Sequence, residues 1–225
     1  MFKGKFTFEK ITTFSIIALF LLNVSVLISM HLMHHEKKIK YSSNIEYIKD
    51  KYVERLESEF NAARDALADE VENYFSEVAP KTSLNALTLI DLTSEYNVDL
   101  IFVIAQGQIE SHFGTKGTAA KTNSVFNVGA FDGHSADTQK RNGYGYAHPD
   151  YSIAPYLQLL INDYLVDGKT EYDLMTKFVN KRDERYASYN GYEVSITNLY
   201  NKLNDNTKLS LAYQNYKMYK MKLGK

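Results

Sequence analysis

One carboxylate in the chain is placed where chemistry could be done with it. Glu110 lies in the run Ile101-Phe-Val-Ile-Ala-Gln-Gly-Gln-Ile-Glu110-Ser-His-Phe-Gly114. The run is apolar at helical spacing, and Gly114 is placed to end the helix as a left-handed cap. Glu110 therefore falls in the last helical turn, where the negative end of the helix dipole disfavours a carboxylate. Val103, Gln106 and Gly107 precede it on the same face. The acid thus projects from a mostly buried helix, and burial and dipole both push its pKa up. A carboxylic acid kept protonated near neutral pH can serve as a general acid, the role that cleavage of a glycosidic bond requires. A solvated glutamate at a helix end explains the same local pattern.

Other chemistries find less support. The chain has no cysteine, which excludes disulfides and thiolate catalysis. The formal net charge of −1 gives no basic excess for nucleic acid. His112, His134 and His148 share a loop-rich region with Asp132, Asp137 and Asp150, but nothing matches an H-E-x-x-H or comparable ligand spacing. His31, His34 and His35 have no acid spaced for ligation and read as histidines at a membrane edge. No glycine-rich phosphate loop and no Ser/His/Asp order can be assigned. No metal and no cofactor are expected.

The elements that must position Glu110 follow from patterning. After a basic flank, 1–10, residues 11–33 (ITTFSIIALFLLNVSVLISMHLM) carry no charge and are long enough to span a bilayer. This reads as an uncleaved signal anchor, N-terminus inside. Lysines flank both sides, so charge alone leaves the orientation nearly balanced. A helical stalk or linker follows over 34–83. Ile45, Ile48, Tyr52, Leu56, Phe60, Ala63, Leu67, Val71, Tyr74 and Val78 step by three or four along one stripe. The stripe can self-associate or pack against the domain behind it; a mean step nearer 3.6 than 3.5 favours packing. Pro80 ends it.

The globular domain is expected over 84–203. Helices are predicted over Leu84–Tyr96, around Glu110, over Ser152–Val166, Glu171–Asn180 and Glu193–Leu203. Between Thr115 and Pro149 the chain is rich in Gly, Asn, Asp and Ser, which predicts loops and a short hairpin. Residues 204–225, with five lysines among tyrosines, read as a solvated, weakly ordered tail. Contact of this tail with an anionic wall polymer or a membrane surface is the functional alternative.

At this point the residues carry a resemblance. Ala105-Gln-Gly-Gln-Ile-Glu110-Ser-His-Phe-Gly114 resembles the Ala-Gln-x-x-x-Glu-Ser-x-aromatic-Gly motif of the glucosaminidase family of peptidoglycan hydrolases. In the same order, Thr122-Asn-Ser-Val-Phe126-Asn-Val-Gly129 resembles that family's Asn-Asn-Leu-Phe-Gly segment. Tyr151-Ser-Ile153 with Tyr156 and Leu159-Leu160 resembles its Tyr-x-Ser-(x)-Ser-Ile helix start, and Arg185-Tyr186-Ala187 through Tyr192 its Tyr-Ala-x-Asp-Pro-x-Tyr loop. The resemblance implies a mainly α, lysozyme-like domain with a small irregular or β lobe. It implies hydrolysis of the N-acetylglucosaminyl-β-1,4-N-acetylmuramyl bond of glycan strands, with Glu110 as general acid. Tyr186 or Tyr192 would line the reacting sugar's subsite, with Tyr192 at the catalytic centre. Gln106, Asn123 and Phe126 would contact or shape the substrate site, although Phe126 reads equally well as a core plug.

The sequence departs from the family in two places. The family's second acid, on a Thr-x-Glu strand, has no counterpart here; Asp132 and Asp137 are the carboxylates between Gly129 and Tyr146. Without a second acid, the substrate's own N-acetyl group could act as nucleophile. The tyrosine loop also lacks an Asp-Pro pair. Three readings stay open: a membrane-anchored glucosaminidase, a lytic transglycosylase, and a glycan-binding or structural component of an envelope or phage-penetration apparatus. The partners implied are glycan strands and, through 11–33, a membrane. The expected location is a single-pass membrane protein with its domain on the wall side, or a virion.

Overall fold

The computed structural model describes residues 8–130 and 133–225, and side chains from residue 19 onward. It divides into two units, 1–56 and 57–225. Helix α1 runs Phe8–Val78. In the first unit this helix is the described structure, and Leu19, Leu22, Leu27 and Met30 on it are exposed. Among the described residues, no helix is long and apolar enough to cross a membrane. The span expected over 11–33 is therefore not found among them, and the side chains of 11–18 lie outside the described residues.

The second unit is mainly helical. The stalk stripe packs against the domain over its last turns, as its spacing favours. From Leu67 onward it is core: Leu67, Val71 and Phe75 are buried with Leu89, Ile90 and the whole of 100–105. The spacing near 3.6 is that of a straight helix laid on a domain. Helices α2 (Ala86–Glu95) and α3 (Leu100–Ser111) follow. Asn85 caps α2 by accepting from Thr88 N at 2.8 Å, and Asp99 caps α3 by accepting from Phe102 N at 3.0 Å. Leu100 through Gly107 are buried on every side, which makes α3 the central helix. Helix α8 (Tyr192–Asp205) packs along it.

The lobe between Thr115 and Pro149 holds two short helices, α4 (Ala119–Thr122) and α5 (Ala136–Arg141). Among the described residues it contains no strand, so the hairpin is corrected to an irregular, helical lobe. Asn123, Asn127, Gly129, Gly133 and Gly143 all have positive φ, which interrupts any extended ladder. At Gly129 (φ +70°) a Cβ would also collide with the Tyr144 ring. The chain then enters a short 3-10 turn, Pro149–Ser152, helix α6 (Ile153–Leu159), a π-helical turn over Leu160–Tyr164, and α7 (Glu171–Thr176).

The tail expected to be weakly ordered is instead helix α9, Thr207–Leu223. Asn206 caps it by accepting from Lys208 N (3.2 Å) and Leu209 N (3.3 Å). Leu209 and Tyr216, on one face, are buried, and the Tyr216 ring lies 5.5 Å from that of Phe60 on α1. Its lysines mask a short apolar stripe.

Candidate active site

Glu110 stands in the last turn of α3, as its sequence context requires. The cap is different from the one expected. His112, not Gly114, takes the left-handed C-cap position (φ 49°), and Phe113 and Gly114 continue with positive φ. This triple reversal folds Phe113 back onto Phe75, ring centroids 4.5 Å apart. Ser111 staples the reversal: its hydroxyl donates to Val125 O at 2.5 Å and accepts from Gly114 N at 2.7 Å. The loop carrying Phe126 and Asn127 is thereby tied to the end of α3.

Two side chains reach the Glu110 carboxylate. Tyr192, the first residue of α8, donates its hydroxyl to Oε1 at 2.6 Å. Asn127 donates through Nδ2 to the Glu110 main-chain carbonyl at 2.7 Å and lies 3.4 Å from Oε2. Burial pushes the Glu110 pKa up, and the bonds from Tyr192 and Asn127 offset part of that rise by stabilising the anion. Packed around Glu110, Tyr156, Tyr186 and Tyr192 are held far above the ordinary tyrosine range by burial and by its negative charge. They stay neutral and act as hydrogen-bond donors.

The other residues singled out in the sequence fall into place around this pair. Gln106 is fully buried; it accepts from the Tyr156 hydroxyl and donates through Nε2 to the Tyr192 hydroxyl at 3.1 Å. It faces two tyrosines rather than solvent. Phe126 is also buried and stacks on Tyr156 at 3.8 Å, against a backbone kept bare at Gly107, where a Cβ would meet the Phe113 and Phe126 rings at 3.2 to 3.3 Å. Tyr186 donates to Phe126 O at 2.9 Å and stacks on Phe178. Asn123 donates to Tyr146 O at 2.9 Å and so ties α4 to the chain before Pro149. The tyrosine loop, lacking Asp-Pro, is clasped at its ends by Arg185 and Glu193, paired at 2.7 Å.

Asp132 lies outside the described residues. Asp137 is exposed in the first turn of α5, where a carboxylate suits the helix N-terminus. Among the described residues, the side chains bonded to Glu110 are a tyrosine and an asparagine and not a second carboxylate. The sequence does not mark Asn127 and Tyr156 as site residues. Both lie inside motifs that the resemblance rests on, but nothing in their spacing reveals which way the loop and α6 turn them.

A cavity of about 560 Å³ lies at the opposite end of α3, lined by Asp99, Glu171, Tyr213, Lys217 and Lys220 among others. Leu100 to Glu110 is roughly 15 Å of helix. Polar groups of the cavity are engaged with the fold: Lys220 Nζ donates to Ser94 O at 3.0 Å, and Glu171 accepts from Asp99 N at 2.9 Å. It is separate from the Glu110 centre.

A helical domain built on a buried helix that ends in a desolvated glutamate has the acid that a glycoside hydrolase needs. The profile of the glucosaminidase family, described as mannosyl-glycoprotein endo-beta-N-acetylglucosaminidase, matches residues 86–205, and the chain belongs to that family. No curated protein and no solved structure matches the chain. Membership makes it a glycoside hydrolase, of the peptidoglycan-acting kind that its motifs resemble. The match ends at residue 205, before α9.

Proposed function

We propose that the chain cleaves the N-acetylglucosaminyl-β-1,4-N-acetylmuramyl bond of peptidoglycan, with Glu110 as general acid. The observation that carries this is the environment of Glu110: a desolvated carboxyl with two donors aimed at it. Desolvation favours the protonated carboxyl and raises its pKa. When the proton passes to the leaving glycosidic oxygen, the carboxylate that forms is met by the Tyr192 hydroxyl and by the Asn127 amide. Both donors are in place before the charge develops, so little reorganisation is needed at the moment of transfer. The carboxylate then takes a proton from the water that attacks the anomeric carbon.

With Tyr192 and Asn127 as its partners, Glu110 does not draw on a neighbouring carboxylate. The acetamido group of the sugar being cleaved is then the nucleophile that fits, ahead of water. The same single acid supports a second reading, a lytic transglycosylase, in which an internal hydroxyl replaces water and leaves an anhydro end. We further propose that the uncharged run 11–33, exposed and apolar where described, anchors the chain and holds the enzyme on the wall side.

The test is Glu110→Gln in the full chain on labelled sacculi. Glutamine keeps the shape and the Tyr192 bond but has no proton to give. Release of label is expected to fall by about 10² to 10⁴ fold while sedimentation with sacculi persists. Undiminished release from the variant would remove Glu110 from the chemistry.

A further inference from the structure

Resting on the reading of Glu110 as the acid, we propose that Gln106 is a positioning residue, which directs the Tyr192 hydroxyl hydrogen at the Glu110 carboxyl through a one-way chain running Tyr156 to Gln106 to Tyr192 to Glu110.

The direction follows from counting hydrogens. Tyr156 is fully buried, and its ring is stacked on Phe126 at 3.8 Å with 9° between planes, so its hydroxyl is fixed in place. Its single hydrogen goes to Gln106 Oε1, a carbonyl oxygen that has none to return. That contact sets the orientation of the amide and leaves Nε2 facing Tyr192, to whose oxygen it donates at 3.1 Å. An amide nitrogen accepts nothing, so Tyr192 cannot turn its own hydrogen toward Gln106. The hydrogen goes to Glu110 Oε1, at 2.6 Å. Each dipole in the chain points the same way and polarises the next.

The order of these dipoles matches the charge that appears on Glu110 once it has given up its proton. Gln106 never touches the sugar, yet it decides whether the nearest donor is aimed at that charge or free to rotate. The groups that bear on the carboxyl from the packed elements are Tyr192 on α8 and Asn127 on the loop; Tyr156 on α6 and Tyr186 on the tyrosine loop feel its charge from longer range.

Two full-chain variants test the proposal. Gln106→Leu keeps the side-chain volume and removes the amide; Tyr156→Phe keeps the stack on Phe126 and removes the hydrogen that orients the amide. Each is read by circular dichroism for folding, by kcat and KM on peptidoglycan, and by carbon-13 titration of the Glu110 carboxyl. For Gln106→Leu, kcat is expected to fall roughly tenfold, less than the 10² to 10³ typical when a donor itself is removed, with KM unchanged. The Glu110 midpoint should move up, because the ionised form loses an aimed donor. Tyr156→Phe should move both readouts the same way by less. A folded Gln106→Leu with wild-type kcat and midpoint, beside a Tyr192→Phe control in which both change, would overturn the proposal and leave Gln106 as packing alone. If Gln106→Leu does not fold, Tyr156→Phe decides by the same criterion. If the wild type releases nothing from peptidoglycan, the functional reading fails, while the titration still decides what Gln106 does.

Discussion

At the scale of single residues, burial favours the proton on the Glu110 carboxyl and two donors receive the anion it leaves. Two predictions belong here. Tyr192→Phe removes the 2.6 Å donor and keeps the ring in its place beside Tyr186 and Phe178. We expect kcat to fall by about 10² to 10³ fold with little change in KM, since the lost bond strengthens only as charge develops. The alkaline limb of the pH–rate profile should move to higher pH, because the ionised acid has lost stabilisation; a limb that stays put or moves down contradicts this. The second prediction concerns stability. The folded-state pKa of Glu110 lies above its unfolded value, so the folded protein binds this proton more tightly. Its contribution is full below the unfolded pKa and is lost as pH rises through the folded one. Glu110→Gln carries no such penalty and should therefore gain in Tm relative to wild type as pH rises from acid to neutral. Melting both proteins across that range tests the sign; a gap independent of pH would count against a desolvated acid at this position.

At the scale of elements, the site is made by one helix end and the loop stapled to it. Ser111 joins them, giving a hydrogen bond to Val125 O and receiving one from Gly114 N. Ser111→Ala leaves a buried carbonyl and an N–H without this partner, at a cost of about 1 to 3 kcal/mol. Because that loop carries Asn127, the variant should also lose activity beyond what the unfolded fraction explains; a lower Tm with full activity per folded molecule would separate the staple from the site. This is also the scale at which the sequence reads unevenly. The central helix and the last-turn position of Glu110 are legible, because Leu100 through Ala105 are apolar without interruption and a chain reversal had to follow. The identity of the cap is not. Gly114 is the residue that tolerates positive φ most easily, yet the reversal starts two residues earlier at His112, held by the bond from the Ser111 hydroxyl to Val125 O, distant in sequence. The hairpin in the lobe is misread for a related reason. Asn and Gly announce turns, but in this lobe they supply isolated positive-φ positions between short helices. In α9 the lysines conceal a stripe that needs Phe60 to complete it.

At the scale of the whole molecule, a glucosaminidase-family domain over 86–205 shares its unit with the last turns of a long N-terminal helix, from residue 57, and with a C-terminal helix beyond the family match. The four motifs that carry the resemblance are spread over the chain, and folding gathers parts of each around one carboxyl. Glu110 comes from the first, Asn127 and Phe126 from the second, Tyr156 from the third, and Tyr186 and Tyr192 from the fourth. Order along the sequence reveals that these motifs belong together, but only the packing of α3, α6 and α8 reveals that Gln106 links two of the tyrosines. The most direct test of the central claim is mass spectrometry of purified peptidoglycan digested by the full chain, beside Glu110→Gln. Wild-type fragments ending in reducing N-acetylglucosamine are expected, with the variant's release reduced by about 10² to 10⁴ fold. Fragments ending in anhydro-muramyl groups, or in reducing N-acetylmuramic acid, would contradict that claim.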